Sequence, residues 1–183
     1  MPRIINRLPV DSRAVRIAVA SGGIVELRPY QVLVWVSLSE KGNQFFASQT
    51  FRFPAIVDTG YNDNFAIRAE DFSRLSGFDP RLFTKLTESK RSSRGNVHRR
   101  AANIWLHSNL SGTREFDSNA RRMAYLELSN GIQVFERQPE GADQRPSLPL
   151  LGMKALFWNK LRFIVDGRQE SATITTTGWP SWI

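Results

Sequence analysis

Cysteine is absent from the 183 residues, and only two histidines occur, His98 and His107. Without thiols there can be no disulfide staples, thiolate zinc sites, iron–sulfur clusters or cysteine nucleophiles. Two imidazoles cannot supply a three-histidine metal site within one chain, and a Ser-His-Asp triad would have to use one of them. No apolar run approaches the ~18 residues that mark a membrane-spanning helix. Arg3, Arg7, Arg13 and Arg16 are scattered through the start, with no continuous apolar stretch behind them. A secretion signal is therefore not evident, and the cytoplasm is the expected compartment. No cofactor-binding or metal-binding pattern stands out, and no internal repeat.

What is present suffices for a core. The hydrophobic fraction is 41%, with twelve Phe and five Trp, which argues against wholesale disorder. The length suits one domain. The formal charge of +8 is concentrated: residues 85–122 hold nine basic side chains against Glu88, Glu115 and Asp117, so this window carries +6 of the excess. A solvated surface segment, a nucleic-acid contact through Lys90, Arg91, Arg94, Arg99 and Arg100, and an acidic substrate or partner all fit such a cluster. No aromatic residue lies between Lys85 and Arg100 to stack on bases.

The local pattern is mostly β. Residues 31–38 are rich in β-branched and aromatic side chains and read as a strand. So do 51–57, where Pro54 marks an edge or bulge, and 103–107. Residues 125–128 and 132–135 flank Asn130-Gly131, a pair suited to a tight primed turn, which predicts a hairpin. Residues 161–165 and 172–176 flank Asp166-Gly167 in the same way. Helical signals are few. Residues 69–75 can form two turns ending at Gly77. Asp79-Pro80 resembles an N-cap and first helical position, predicting a short helix to Leu86. Residues 153–156 can form one more turn. Stretches 90–96 and 138–149 look loop-like, and polar residues 108–119 look like an inserted loop. Many short strands with few helices predict an all-β, barrel-like class.

The most informative stretch is Phe53-Pro54-Ala55-Ile56-Val57-Asp58-Thr59-Gly60-Tyr61-Asn62-Asp63. An apolar strand runs straight into Asp-Thr-Gly, which places a carboxylate where it is partly desolvated. Gly60 lets the backbone turn sharply and approach a ligand, and the Thr59 hydroxyl can anchor the turn. Alone, Asp-Thr-Gly reads as a structural turn more readily than as a site. Further along, Leu150-Leu151-Gly152 precedes a short helix and then an apolar strand ending at Asp166, the pattern of a buried support.

Together the two stretches resemble the retropepsin-like aspartic proteases, closest to their microbial branch. There an apolar strand carries Asp-Thr/Ser-Gly, and a later hydrophobic-hydrophobic-Gly motif leads into a short helix. The resemblance covers about residues 32–174 and is poor over 91–144. It implies a single-domain closed β-barrel with one short C-terminal helix, the extra short helices following the catalytic loop. Residues 1–30 would be an N-terminal extension with the first strand, 31–177 the protease domain, and 178–183 a tail.

For individual residues, the resemblance implies that Asp58 is the catalytic aspartate. Thr59 would join its symmetry mate beneath the site, and the Gly60 backbone would contact bound peptide. Asn62 and Asp63 stand where viral members place two acids that hold the substrate. Leu150, Leu151 and Gly152 would pack under the catalytic loop. Gly95-Asn96 is the best-placed tip for a flap that closes over the substrate, and its basic neighbours would then favour acidic peptides or hold down the pKa of the catalytic pair. Two positions depart from the pattern. Tyr61 replaces a small residue, leaving the shape of the nearest substrate pocket open. Met153 replaces an arginine whose acidic partner is here Asn62, so both ends of that ion pair are neutral and no charge is stranded.

One Asp-Thr-Gly is half an aspartic protease. The reaction needs two carboxylates sharing a proton around a water, an established property of such enzymes. The resemblance therefore implies a homodimer with one Asp58 from each subunit. In viral relatives both termini interleave at that interface, which Ile4-Ile5 and the Trp179, Trp182, Ile183 tail would do here, unless they pack on their own subunit. A retropepsin-like module that binds peptide without cutting, and a basic nucleic-acid-binding β domain, are the rival readings. His98 and His107 read as exposed or locally bonded, and Asp166-Gly167 as a turn, not as sites.

Overall fold

The run Val32-Leu33-Val34-Trp35-Val36-Ser37-Leu38 has almost no polar alternation, and a strand of that kind must be covered on both faces. In a computed structural model it is the centre of the molecule. The structure describes residues 3–19, 23–46, 50–92, 95–118, 123–136 and 148–177. In chain order the elements are β1 (Arg3–Pro9), β2 (Val15–Val19), β3 (Gly23–Leu27), β4 (Val32–Glu40), β5 (Phe53–Asp58), β6 (Phe65–Arg68), α1 (Ala69–Ser76) and a 3-10 turn (Pro80–Leu82). Then come β7 (Lys85–Ser92), β8 (Gly95–Arg100), β9 (Ala102–His107), β10 (Met123–Leu126), β11 (Ile132–Phe135), β12 (Leu150–Gly152), α2 (Met153–Trp158), β13 (Leu161–Asp166) and β14 (Ser171–Thr176). The protein is all-β in character, with few and short helices, as its sequence predicts.

Nine strands form one sheet in the order β10-β9-β4-β5-β12-β6-β11-β8-β7. This order is open: among the described residues β10 and β7 lie at opposite ends and do not pair, so the expected closed barrel is not found. Val34, Val36 and Leu38 of β4 face the main core, with Phe53, Phe65, Phe72 and Ile104. Leu33 faces the other way, into a smaller cluster with Val25, Leu27, Ile56 and Leu148. The β2–β3 hairpin supplies that outer cover. β1 pairs with β14, which also pairs with β13, and Ile4, Ile5 and Leu8 are buried in the main core. Of the two fates open to Ile4-Ile5, the structure has packing on their own subunit. Among the described residues of this N-terminal stretch, β1 packs on the main core and β3 on the smaller one. The tail with Trp179, Trp182 and Ile183 lies outside the described residues.

Three local expectations change. Residues 129–130 do turn, and the Gly131 N–H donates to the Leu128 carbonyl at 2.8 Å. The flanking strands nevertheless do not form a hairpin: β10 pairs with β9, while β11 lies between β6 and β8. The backbone just before the turn is taken by side chains. Asn159 bonds both the N–H and the carbonyl of Glu127, and Asn103 Oδ1 accepts from Leu128 N–H. The helix after Pro80 stops at Leu82, because Phe83 is extended and buried against Phe72 and Phe78, and the chain then pairs as β7. Helix α1 ends as expected, with Gly77 left-handed at φ 73°. Residues 90–92 and 95–96, expected in a loop, belong to β7 and β8, and 93–94 lie outside the described residues. Residues 108–118 form a loop, pinned by the Trp35 Nε1 bond to the Arg114 carbonyl and by the Asp11–Arg114 ion pair.

Candidate active site

β5 is buried from Phe53 to Val57 and delivers Asp58, half-buried, at its end. There the chain turns on the carboxylate itself. Gly60 N–H donates to Asp58 Oδ1 at 2.9 Å, and Tyr61 N–H donates to the Asp58 carbonyl at 3.2 Å. This is a side-chain-stabilised turn of the kind aspartates favour. Thr59 and Gly60 are exposed at its outer edge.

The second motif meets this loop from beneath. β12 is inserted between β5 and β6, parallel to β5 with Leu150 opposite Ile56, Leu151 opposite Val57 and Gly152 opposite Asp58. It runs antiparallel to β6, which leaves the loop. Gly152 N–H donates to the Asn64 carbonyl at 2.9 Å. A methyl group at position 152 would lie 1.9 Å from the Asp63 carbonyl oxygen and 2.7 Å from that of Tyr61. Glycine is required here for close approach, its φ of −84° being ordinary. Leu151 is fully buried in the main core, so the support reading of Leu150, Leu151 and Gly152 has a physical basis.

Asp63 is committed inward. Arg99 of β8 donates to both of its oxygens, with Nη1 at 3.2 Å from Oδ1 and Nη2 on Oδ2. Gln133 Nε2 donates to Oδ2 at 2.6 Å, and Asn64 N–H to Oδ1 at 2.8 Å. Burial pushes the Asp63 carboxyl up, but the bonds from Arg99 and Asn64 and the positive charge of Arg99 outweigh it, so its pKa falls below the ordinary carboxylate value. Gln133 also accepts the Tyr61 hydroxyl on Oε1 at 2.6 Å. Asp63 is therefore a structural anchor in this structure, whereas the resemblance implied a substrate contact. Asn62 remains exposed beside it.

Gly95 opens β8 and pairs with Ser92 at the end of the β7–β8 hairpin, the position of a tip. Arg94 is outside the described residues, as are the side chains of Lys90 and Arg91. Of the five cations that could meet nucleic acid, Arg99 is spent on Asp63, and Arg100 Nη1 donates to the Phe83 carbonyl at 3.1 Å. His98 is buried 3.6 Å from Glu136, and His107 bonds Ser37 through Nε2 at 2.8 Å, deep in the sheet. Asp166 Oδ1 accepts from the N–H groups of Arg168 and Gln169, as a turn residue does. Among the described residues no three His, Asp or Glu side chains gather as a metal site would need.

Gln133 escaped the sequence reading, and Arg99 entered it only as a possible nucleic-acid contact. Gln133 is one polar position in an alternating strand, and it lies 72 residues from Tyr61 and 70 from Asp63. Only the sheet brings them together. No family model matches this chain, and neither a curated protein nor a solved structure does.

Proposed function

We propose that the chain is an aspartic endopeptidase that works as a homodimer, each subunit contributing one Asp58. The observation that carries the reading is the placement of Gly152 opposite Asp58, with β12 threaded between the strand entering the carboxylate loop and the strand leaving it. A plain turn has no use for a separate strand, about ninety residues away, wedged under it with a glycine that tolerates no side chain. Further support comes from charge. The other acid of the loop, Asp63, is already paired with Arg99, which favours a second carboxylate supplied by another chain. Asp58, Thr59 and Gly60 sit at an accessible edge where a two-fold partner can meet them. The retropepsin-like form of the fold belongs to the same proposal.

In this mechanism one Asp58 takes a proton from a water held between the two carboxylates. Its partner gives a proton to the peptide carbonyl oxygen as the water oxygen bonds to carbon. The tetrahedral intermediate then collapses, the C–N bond breaks, and the amine leaves with a proton returned from the dyad. The β7–β8 hairpin is the candidate lid, and peptide or protein is the substrate.

A peptide library tested over pH 3–8 decides the matter. The wild type is expected to cleave, while Asp58→Asn loses cleavage at every pH and keeps its fold. Equal cleavage profiles, or none from either protein, overturn the enzyme reading. Peptide binding without cleavage by the wild type would instead identify a binding module.

A further inference from the structure

We infer that Arg99 is a positioning residue for the loop that carries Asp58, acting through Asp63 and tying that loop to the stem of the β7–β8 hairpin. Its catalytic consequence rests on the protease reading. Arg99 and Gln133 are register partners on adjacent strands, and both side chains converge on one carboxylate. Arg99 brings a full positive charge to the group, and its planar fork spans both oxygens of Asp63. Gln133 extends the grip, donating to Asp63 while accepting from Tyr61, so one amide holds two points of the loop. From below, the Asp63 carbonyl presses on Gly152. The loop is thus clamped from β8 and β11 above and from β12 beneath, with Asp58 at its start.

The arrangement has a second consequence. Gly95 and Arg99 belong to the same strand, β8. A hairpin that moves as a lid must either pivot beyond Arg99 or disturb the loop that bears Asp58.

The test is a double-mutant cycle of Arg99→Gln and Asp63→Asn, with Arg99→Lys added. It is read by hydrogen exchange of the 59–64 amides and by kcat and KM on a peptide the wild type cleaves. Either single change is expected to speed loop exchange about tenfold or more while leaving β13 and β14 unaffected. It is also expected to lower kcat roughly tenfold to a hundredfold, with KM changed much less. The double variant should be little worse than either single one, because both remove the same interaction. Arg99→Lys should fall between, keeping the charge and losing the fork. Should Arg99→Gln fail to fold, Arg99→Lys and Asp63→Asn still test the pair. Unchanged loop exchange, or strictly additive effects, would overturn the inference. If the wild type cleaves nothing, the protease reading falls, and the exchange cycle still decides whether Arg99 holds the loop.

Discussion

His107 shows how a buried polar residue can govern stability without taking part in chemistry. Burial, with Arg52 nearby, pushes its pKa down from the ordinary 6.5 to about 4. As pH falls through that window the unfolded chain takes up a proton that the folded chain refuses, so stability is lost, by roughly 3 kcal/mol in all. His98 shifts in the same direction, first through burial and then through the positive charge of Arg100, with Glu136 opposing. Thermal unfolding followed from pH 7 to pH 4 should show a falling midpoint, and His107→Gln should flatten that slope. A slope unchanged in the variant would remove the imidazole as its cause. Neither histidine was legible as buried from its neighbours in sequence. His98 stands in a basic run, and its burial depends on β11 and Glu136, nearly forty residues on.

At the scale of elements, strand identity was readable and strand partnership was not. β4, β5, β9, β11, β13 and β14 follow from runs of β-branched and aromatic residues. Asn130-Gly131 made its turn, yet the strands it joins went to different neighbours because Asn103 and Asn159 hold the backbone between them. Turn chemistry acts over four residues, whereas partnership is settled by contacts far apart in the chain. The same contrast appears at β12. Leu150-Leu151-Gly152 could be recognised as a support, but the reason for its glycine lies in the Asp63 and Tyr61 carbonyls. Gly152→Ala is expected to destabilise the protein by about 2 kcal/mol or more, because backbone atoms on the loop must shift to admit the methyl group. Denaturant unfolding checks this. Gly167→Ala is the control, since open space surrounds that glycine, and equal costs at the two positions would remove the close-packing argument.

For the whole molecule, the proposed chemistry and the proposed assembly stand together. Sedimentation over a range of concentrations should show a reversible monomer–dimer equilibrium, with activity per chain rising as the dimer forms. Cleavage by a strictly monomeric protein would refute the two-Asp58 mechanism even with proteolysis intact. The acid side of such an activity is also constrained by folding. Below about pH 6 the two buried histidines begin to weaken the native state, so the acidic limit of cleavage should follow unfolding as well as the dyad's proton. No helix among the described residues is long and apolar enough to cross a membrane.

The sequence by itself determined the β-rich class, most of the strands, and the carboxylate at the end of an apolar strand. These are properties of short runs, where alternation, turn residues and side-chain volume act within a few positions. Only the tertiary structure decided the open strand order, the burial of β1 against β14, and the grip of Arg99 and Gln133 on Asp63. Each of these joins residues separated by tens of positions. Their energy comes from burial and hydrogen bonding between strands that are neighbours only once the chain has folded.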